Sequence, residues 1–278
     1  MNQSNSTESI YRFDSYSHFR DTIKRKALAL VHYSLWNDPE EGLIFKLCNN
    51  GNGRTIVNRV LGKLLPSKSD LDIQFIIVEL QSIRRCIHAQ SWTKIAENEI
   101  FWGMHSNDDC IRLEVSRENI NRLNQVTTYD IEYKDTSIEE ELHKIVDAGP
   151  NKMQVISILL RKATKYSYEQ EVRLISDVDL DYLPGRSPKE LAFMKAGVLA
   201  QYKGGHITLD AYKSIIKELD TEFANSIRNI RYIDFQNMPN FIKSVMVHPK
   251  ATDPLVQRVK DDCLNNNIPF LGRSQLAL

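Results

Sequence analysis

The stretch Tyr166-Ser167-Tyr168-Glu169-Gln170-Glu171-Val172-Arg173-Leu174-Ile175 decides how this chain is read. From Glu171 to Ile175 polar and apolar residues alternate, as in a half-buried strand whose successive side chains point to opposite faces. Carried back two residues, the alternation puts Glu169, Glu171 and Arg173 on one face and Tyr168, Gln170 and Val172 on the other. Two carboxylates on one face repel each other unless a cation or a ligand offsets them. Such crowding raises at least one pKa and suits general acid–base work or a hydrogen bond to a sugar hydroxyl. A structural salt bridge between Arg173 and Glu171 is the alternative.

Outward from this strand, helical and strand patterns interleave along the chain. Cys110 to Val115 alternates in the same way, and Ser116 is placed to cap a short helix. Further strands are expected at Ile10–Phe13, Gly42–Leu47, Ser82–Trp92, Tyr129–Tyr133, Arg231–Phe235 and Ile242–His248. Helical spacing marks His18–Leu30, Ile56–Leu65, Asp70–Leu80, Asn98–His105, Glu139–Val146 and Met153–Lys162. It also marks Leu191–Gln201, Leu209–Ile227 and Asp253–Asn266. Asn37-Asp38-Pro39 reads as a turn, and Asn49-Asn50-Gly51-Asn52-Gly53 and Asp177 to Gly185 as loops. The expectation is one α+β domain over residues 10–278, with a central mixed or antiparallel sheet and flanking helices. Residues 1–9 read as a flexible N-terminus.

Acidic and basic side chains balance at 36 each, so net charge identifies no partner. Basic residues do concentrate locally, at Arg54, Arg59, Lys63, Lys68, Arg84 and Arg85. They read either as a nucleic-acid track or as a solvated face. The four cysteines, Cys48, Cys86, Cys110 and Cys263, are scattered without zinc-site spacing, and no metal site is expected. Reduced thiols suit a cytoplasm. The polar N-terminus carries no signal-peptide core, and no apolar run reaches the roughly 18 residues of a membrane span, so no membrane partner is expected.

Other candidates are shorter. Ser91-Trp92-Thr93 ends a strand, where a hydroxyl can hold a ligand, orient a glutamate or cap the next helix. Tyr11-Arg12-Phe13 puts an arginine on an early strand, where it can fork onto a phosphate or carboxylate or simply face solvent. His105 closes the Trp102 helix and reads as structural before it reads as a base. Asn50-Gly51-Asn52-Gly53-Arg54 has neither phosphate-loop spacing and reads as a surface loop.

In this order, Tyr11-Arg12-Phe13, Asn37-Asp38-Pro39, Ser91-Trp92, Trp102, Tyr168-Glu169-Gln170-Glu171-Val172-Arg173 and Val247-His248-Pro249 resemble a large, poorly characterised family of bacterial proteins. The resemblance spans nearly the whole chain. The departures are His105, where a tyrosine is commoner, and Cys110, where a glycine usually precedes Ile111. A looser resemblance is to ADP-ribosyltransferases of the Arg-Ser-Glu type, on Arg12, Ser91-Trp92-Thr93 and Glu169-x-Glu171. Trp92 and Thr93 depart from the Thr-Ser of that family's strand end. The resemblance implies that Arg12 holds the phosphates of NAD, with Tyr11 and Thr93 beside the cofactor. It implies that Ser91 orients Glu171, that Glu171 binds the nicotinamide ribose and that Glu169 faces the acceptor nucleophile.

The expected function is therefore NAD-dependent ADP-ribosyl transfer, a glycosyltransferase reaction, with NAD as substrate. The acceptor would be a macromolecule, RNA or DNA ahead of protein, along Arg54, Arg59, Arg84 and Arg85. By association such an activity implies a cytoplasmic bacterial toxin, with an antitoxin partner, or an anti-phage defence effector. The alternatives are a metal-dependent nuclease or other hydrolase using Glu169 and Glu171, and a non-enzymatic binding module.

Overall fold

The computed structural model describes residues 8–32, 35–36, 44, 47, 51–70, 72–74, 76–77, 87–104, 109–148, 152–176, 188–226 and 230–276. The chain begins with β1 (Ser9–Ser15), α1 (Tyr16–Arg25) and β2 (Ala27–His32), then α2 (Gly51–Leu64) and β3 (His88–Thr93). Next come α3 (Glu99–Met104), β4 (Cys110–Ser116), α4 (Arg117–Asn121), β5 (Val126–Asp130) and β6 (Glu132–Tyr133). They are followed by α5 (Ile138–Ala148), α6 (Lys152–Leu159), β7 (Arg161–Lys162), a 3-10 turn (Thr164–Glu169) and β8 (Glu171–Ser176). The last elements are α7 (Pro188–Lys203), α8 (Leu209–Ser226), β9 (Ile230–Asp234), β10 (Ile242–Val247), α9 (Asp253–Asn265) and β11 (Phe270–Arg273).

The fold is mixed α+β, with one main sheet and helices on both of its faces. Strands run in the order β11-β10-β4-β1-β3-β2-β9, and β8 joins β3 to β5. All of these pairs are antiparallel except β10–β11. A small parallel pair, β6–β7, lies apart.

The sheet forks at β3. Along its whole length β3 pairs with β8, from His88↔Ser176 to Thr93↔Glu171. Its other edge is shared: β2 meets it at His88 and Ala89, and β1 only at Thr93. Between those contacts side chains replace the backbone ladder. Arg12 Nη1 donates to the Ser91 carbonyl at 3.0 Å, and Gln90 Nε2 donates to the Ala29 carbonyl at 3.2 Å. Trp92 Nε1 fixes the Gln90 amide at 2.9 Å. A buried backbone acceptor left unpaired would be costly, and Gln90 gives the part-buried Ala29 carbonyl a partner inside the fork.

Strand alternation assigns the two faces. Ile10, Leu28, Leu30, Trp92, Val172 and Leu174 pack with Phe19 and Ile23 of α1 and with Leu255, Val259 and Cys263 of α9. Ala89 and Ile175 face the other way, against Val57 and Leu61 of α2, Leu142 and Ile145 of α5 and Ile156 and Leu159 of α6. Each such aliphatic side chain stabilises the fold by roughly 1.5–3 kcal/mol on burial. Cys110 and Cys263 are buried free thiols, pushed up to about 12 chiefly by that burial. Among the described residues no helix is long and apolar enough to cross a membrane.

Several sequence expectations need correction. The helix expected over His18–Leu30 stops at Arg25, because Lys26 turns left-handed (φ 50°) and Ala27 starts β2. Ala27 and Leu30 continue the helical spacing of Phe19 and Ile23, but in β2 the buried alternate residues are Leu28, Leu30 and His32. The loop expected at Asn49–Gly53 is helical from Gly51, and Ile44 and Leu47, expected on a strand, are helical too. The helix over Met153–Lys162 ends at Leu159, and Lys162 sits on β7. β8 is buried on both faces rather than half-buried, because helices cover both sides of the sheet. Ser9, expected in the flexible terminus, pairs with Ser116, and β11 had no sequence signal. The Asn37-Asp38-Pro39 turn, the 177–185 loop, His105, Cys48, Cys86, Arg84 and Arg85 lie outside the described residues.

Candidate active site

Glu169 and Glu171 do not share a strand. Glu169 closes the 3-10 turn, Gln170 is left-handed (φ 41°), and β8 begins only at Glu171. The left-handed residue interrupts the alternation that would have put both glutamates on one strand face. Their carboxylates converge all the same, through a residue the sequence did not single out. Lys162 Nζ stands 2.7 Å from Glu169 Oε2 and 2.8 Å from Glu171 Oε2. The contact to Glu169 is a well-aligned hydrogen bond, whereas that to Glu171 is an ion pair off the best hydrogen-bond angle.

Glu171 Oε1 accepts from Ser91 Oγ at 2.6 Å and from Arg173 Nε and Nη2 at 3.0 and 2.6 Å. Ser91 lies opposite Arg173 across β3–β8, so the register of that pair places its hydroxyl over the carboxylate. Arg173 is 1% exposed. Its Nη1 donates to the Leu159 carbonyl, and its guanidinium lies 4.7 Å from the centroid of the Trp36 ring. The backbone of Glu171 is held on both sides. Its N–H donates to the Tyr133 hydroxyl at 2.7 Å, and its carbonyl accepts from Ile131 N at 3.1 Å.

Burial by itself would push the Glu171 carboxyl up. The charges of Arg173 and Lys162, with the hydrogen bond from Ser91, reverse that and hold it at about 2. Glu171 is thus a fixed, ionised carboxylate at neutral pH, backed by two cations. It can accept a hydrogen bond from a hydroxyl or oppose a developing positive charge. Burial raises the Tyr133 phenol, and the negative charges of Glu171 and Glu169 add to that rise.

Arg12 belongs to the opposite sheet face by alternation, yet it reaches the site because β1 leaves β3 after Tyr11. Its guanidinium turns into the fork, where Nη1 meets the Ser91 carbonyl and Nε bonds Asp14 at 2.8 Å. Arg12, Ser91 and Glu171 therefore form one connected chain across three strands. Thr93 supports it from behind. Its hydroxyl donates to the Glu169 carbonyl at 2.6 Å and accepts from Ile95 N at 3.0 Å, tying the 3-10 turn to β3. Tyr11 is in register with Thr93, under the guanidinium of Arg112. Arg59 is exposed on α2, apart from this cluster, and Arg54 lies on the same helix.

Sequence reasoning missed Lys162, Tyr133 and Trp36. Lys162 sat at the end of an expected helix, seven positions before Glu169, with no pattern to mark it. Among the described residues no group of three or more His, Cys, Asp or Glu side chains is arranged to hold a metal ion. The Lys162 ammonium occupies the place between the two carboxylates where a divalent cation would sit. No protein-family model matches this chain, and no curated protein or solved structure is detectably similar to it.

Proposed function

We propose that the chain is an NAD-dependent ADP-ribosyltransferase with an ADP-ribosyltransferase-like fold, acting through Arg12, Ser91 and Glu171. One observation carries the reading: three residues 79 and 80 positions apart along the chain join in a single hydrogen-bonded path, Arg12 to the Ser91 carbonyl and Ser91 Oγ to Glu171. The fork of the sheet at β3 supports it, since it brings an early-strand arginine to a late-strand glutamate.

In this reading NAD binds with its nicotinamide ribose at Glu171 and its phosphates toward Arg12. The glycosidic bond breaks, and nicotinamide leaves with the bonding pair. Glu171, kept ionised by Lys162 and Arg173, stabilises the cationic anomeric carbon. The acceptor nucleophile then attacks that carbon, and Glu169 takes its proton. The acceptor is a macromolecule, nucleic acid ahead of protein, on the strength of the basic residues Arg54, Arg59, Arg84 and Arg85 in the sequence.

A second reading has a specific observation in its favour. Arg173 and Glu171 are 1% and 4% exposed, the depth of a structural ion pair in a non-enzymatic binding module. The two readings separate on NAD consumption. Purified protein is incubated with adenylate-labelled NAD and a cell lysate, and label is followed into nuclease-sensitive and protease-sensitive fractions. Labelled product is expected with the wild type, none with Glu171→Gln, and much less with Ser91→Ala. Ser91 is exposed, so its truncation leaves the fold intact. Folded wild-type protein that consumes no NAD would overturn the proposal and favour the structural reading.

A further inference from the structure

We propose that Arg112, with the indole N–H of Trp102 and the ring of Tyr11, forms an oxyanion site that takes a phosphate group. Arg112 is 4% exposed and makes no ion pair among the described residues. Its Nη1 donates to the Ala96 carbonyl at 2.8 Å, and its guanidinium lies 5.0 Å from the centroid of the Tyr11 ring. Its Nε has no partner. A buried guanidinium without a counter-ion is costly, and buried polar groups are almost always paired.

Three carboxylates of the described residues around it are committed elsewhere. Glu114, two residues along the same strand face, accepts from Ser9 and Ser244 at 2.7 Å each and faces Lys243. Asp14, on the other face, holds Arg12 and His18. Glu97 accepts from Ser274.

A second orphan donor stands beside the first. Trp102 is fully buried, and its Nε1 has no partner. Its ring meets Phe13 edge-on at 4.8 Å, and Phe13 is directly opposite Arg112 across β1–β4. Two donors without a partner among the described residues, from different elements and one of them cationic, border the same phenylalanine. The open side of a guanidinium matches two oxygens of an anion. A planar carboxylate has no third oxygen for the indole, whereas a tetrahedral phosphate does. Tyr11 is the partly exposed member of the group. Through Tyr11↔Thr93↔Glu171 the site lies on the same sheet face as Glu171, with Tyr11 two strand spacings away and Arg112, on β4, three, or roughly 14 Å. The inference does not depend on the NAD reading, because any phosphate-bearing ligand would satisfy these donors.

The test is calorimetric titration of the full chain with pyrophosphate and with ADP, beside thermal melts with and without each. Wild type should bind and melt higher with either ligand. Trp102→Phe should weaken binding several-fold, and Arg112→Lys by about ten-fold or more, the scale of a lost charged hydrogen bond. Arg112→Met should remove the ligand-dependent rise in melting temperature while leaving the ligand-free melt unchanged or higher, since it relieves an unpaired buried charge. A wild type that binds neither probe overturns the proposal. So does an Arg112→Met protein that melts lower without ligand, which would make Arg112 a structural residue.

Discussion

Glu171 is the residue on which the site turns, and its ionisation makes it testable without knowing any substrate. Its carboxyl is lowered on folding from 4.5 to about 2, so the unfolded chain takes up its proton first as pH falls. Its stabilising contribution is complete above pH 4.5 and drains away as pH falls toward 2. At ~1.4 kcal/mol per unit this amounts to roughly 3 kcal/mol. In Glu171→Gln the acid limb of a stability–pH curve should be shallower by one proton, and stability at neutral pH should drop by roughly 3 kcal/mol as Arg173 loses its counter-ion. Acid limbs of equal slope in wild type and variant would falsify the assignment. Glu169 carries a separate prediction. It shares the Lys162 ammonium but stands outside β8, next to the site rather than within its hydrogen-bonded path. Under the proposed function, Glu169→Gln should reduce transfer to a macromolecule more than it reduces hydrolysis of NAD to free ADP-ribose, because water can attack without that base. Equal losses in both assays would remove the division of labour.

Among the elements, α2 shows why local signals misled. Asn50-Gly51-Asn52-Gly53 carries loop residues, yet a helix starts at Gly51. Gly53 is there for another reason: a Cβ on it would sit 2.5 Å from the Leu47 carbonyl oxygen and 2.7 Å from Leu47 Cα. The glycine permits a close backbone approach rather than a turn. Gly53→Ala should therefore destabilise by roughly 1–3 kcal/mol in urea unfolding. Gly197 lies inside α7, where a Cβ meets nothing within 4 Å. There Gly197→Ala should stabilise by about 0.5–1 kcal/mol through lower chain entropy in the unfolded state. The same sign at both positions would show that space does not decide the outcome. The 3-10 turn teaches the opposite lesson. One left-handed residue, Gln170, separates the two glutamates, and the Thr93 hydroxyl fixes the turn to β3 so that both still reach Lys162.

Over the whole molecule, β3 is the junction. It pairs with β1, β2 and β8, and helices cover both faces of the sheet around it. Among the described residues the α7–α8 hairpin, by contrast, packs mainly on itself, through the stacked rings of Tyr202 and Tyr212 and the Lys195–Asp220 bridge. Native-state hydrogen exchange should find the slowest amides in β3 and β8, opening only with global unfolding, and markedly faster ones in α7 and α8. Slower exchange in the hairpin than in β3 would mean that the fork does not organise the fold. Holding a charged cluster at such a junction has a physical advantage. Side chains there are locked by three strands at once, and a site of this kind needs geometry fixed to a fraction of an ångström.

The sequence by itself determined many of the elements and named part of the candidate site. Alternation marked β4 and β8, helical spacing marked α8 and α9, and the Ser116 cap falls where expected, with its Oγ accepting from Asn119 N at 3.0 Å. These features are local, set by periods of 2 and 3.6 residues and by single capping side chains. Arg12, Ser91, Glu169 and Glu171 could be named from sequence for the same reason, because each lies in a short recognisable segment. Only the tertiary structure decided how they meet. The fork that turns Arg12 toward Ser91, the cation that joins Glu169 to Glu171 and the burial of both faces of β8 arise from strand order and register. Those are long-range pairings between segments some 80 residues apart, fixed by which faces can be buried together, and no local period records them.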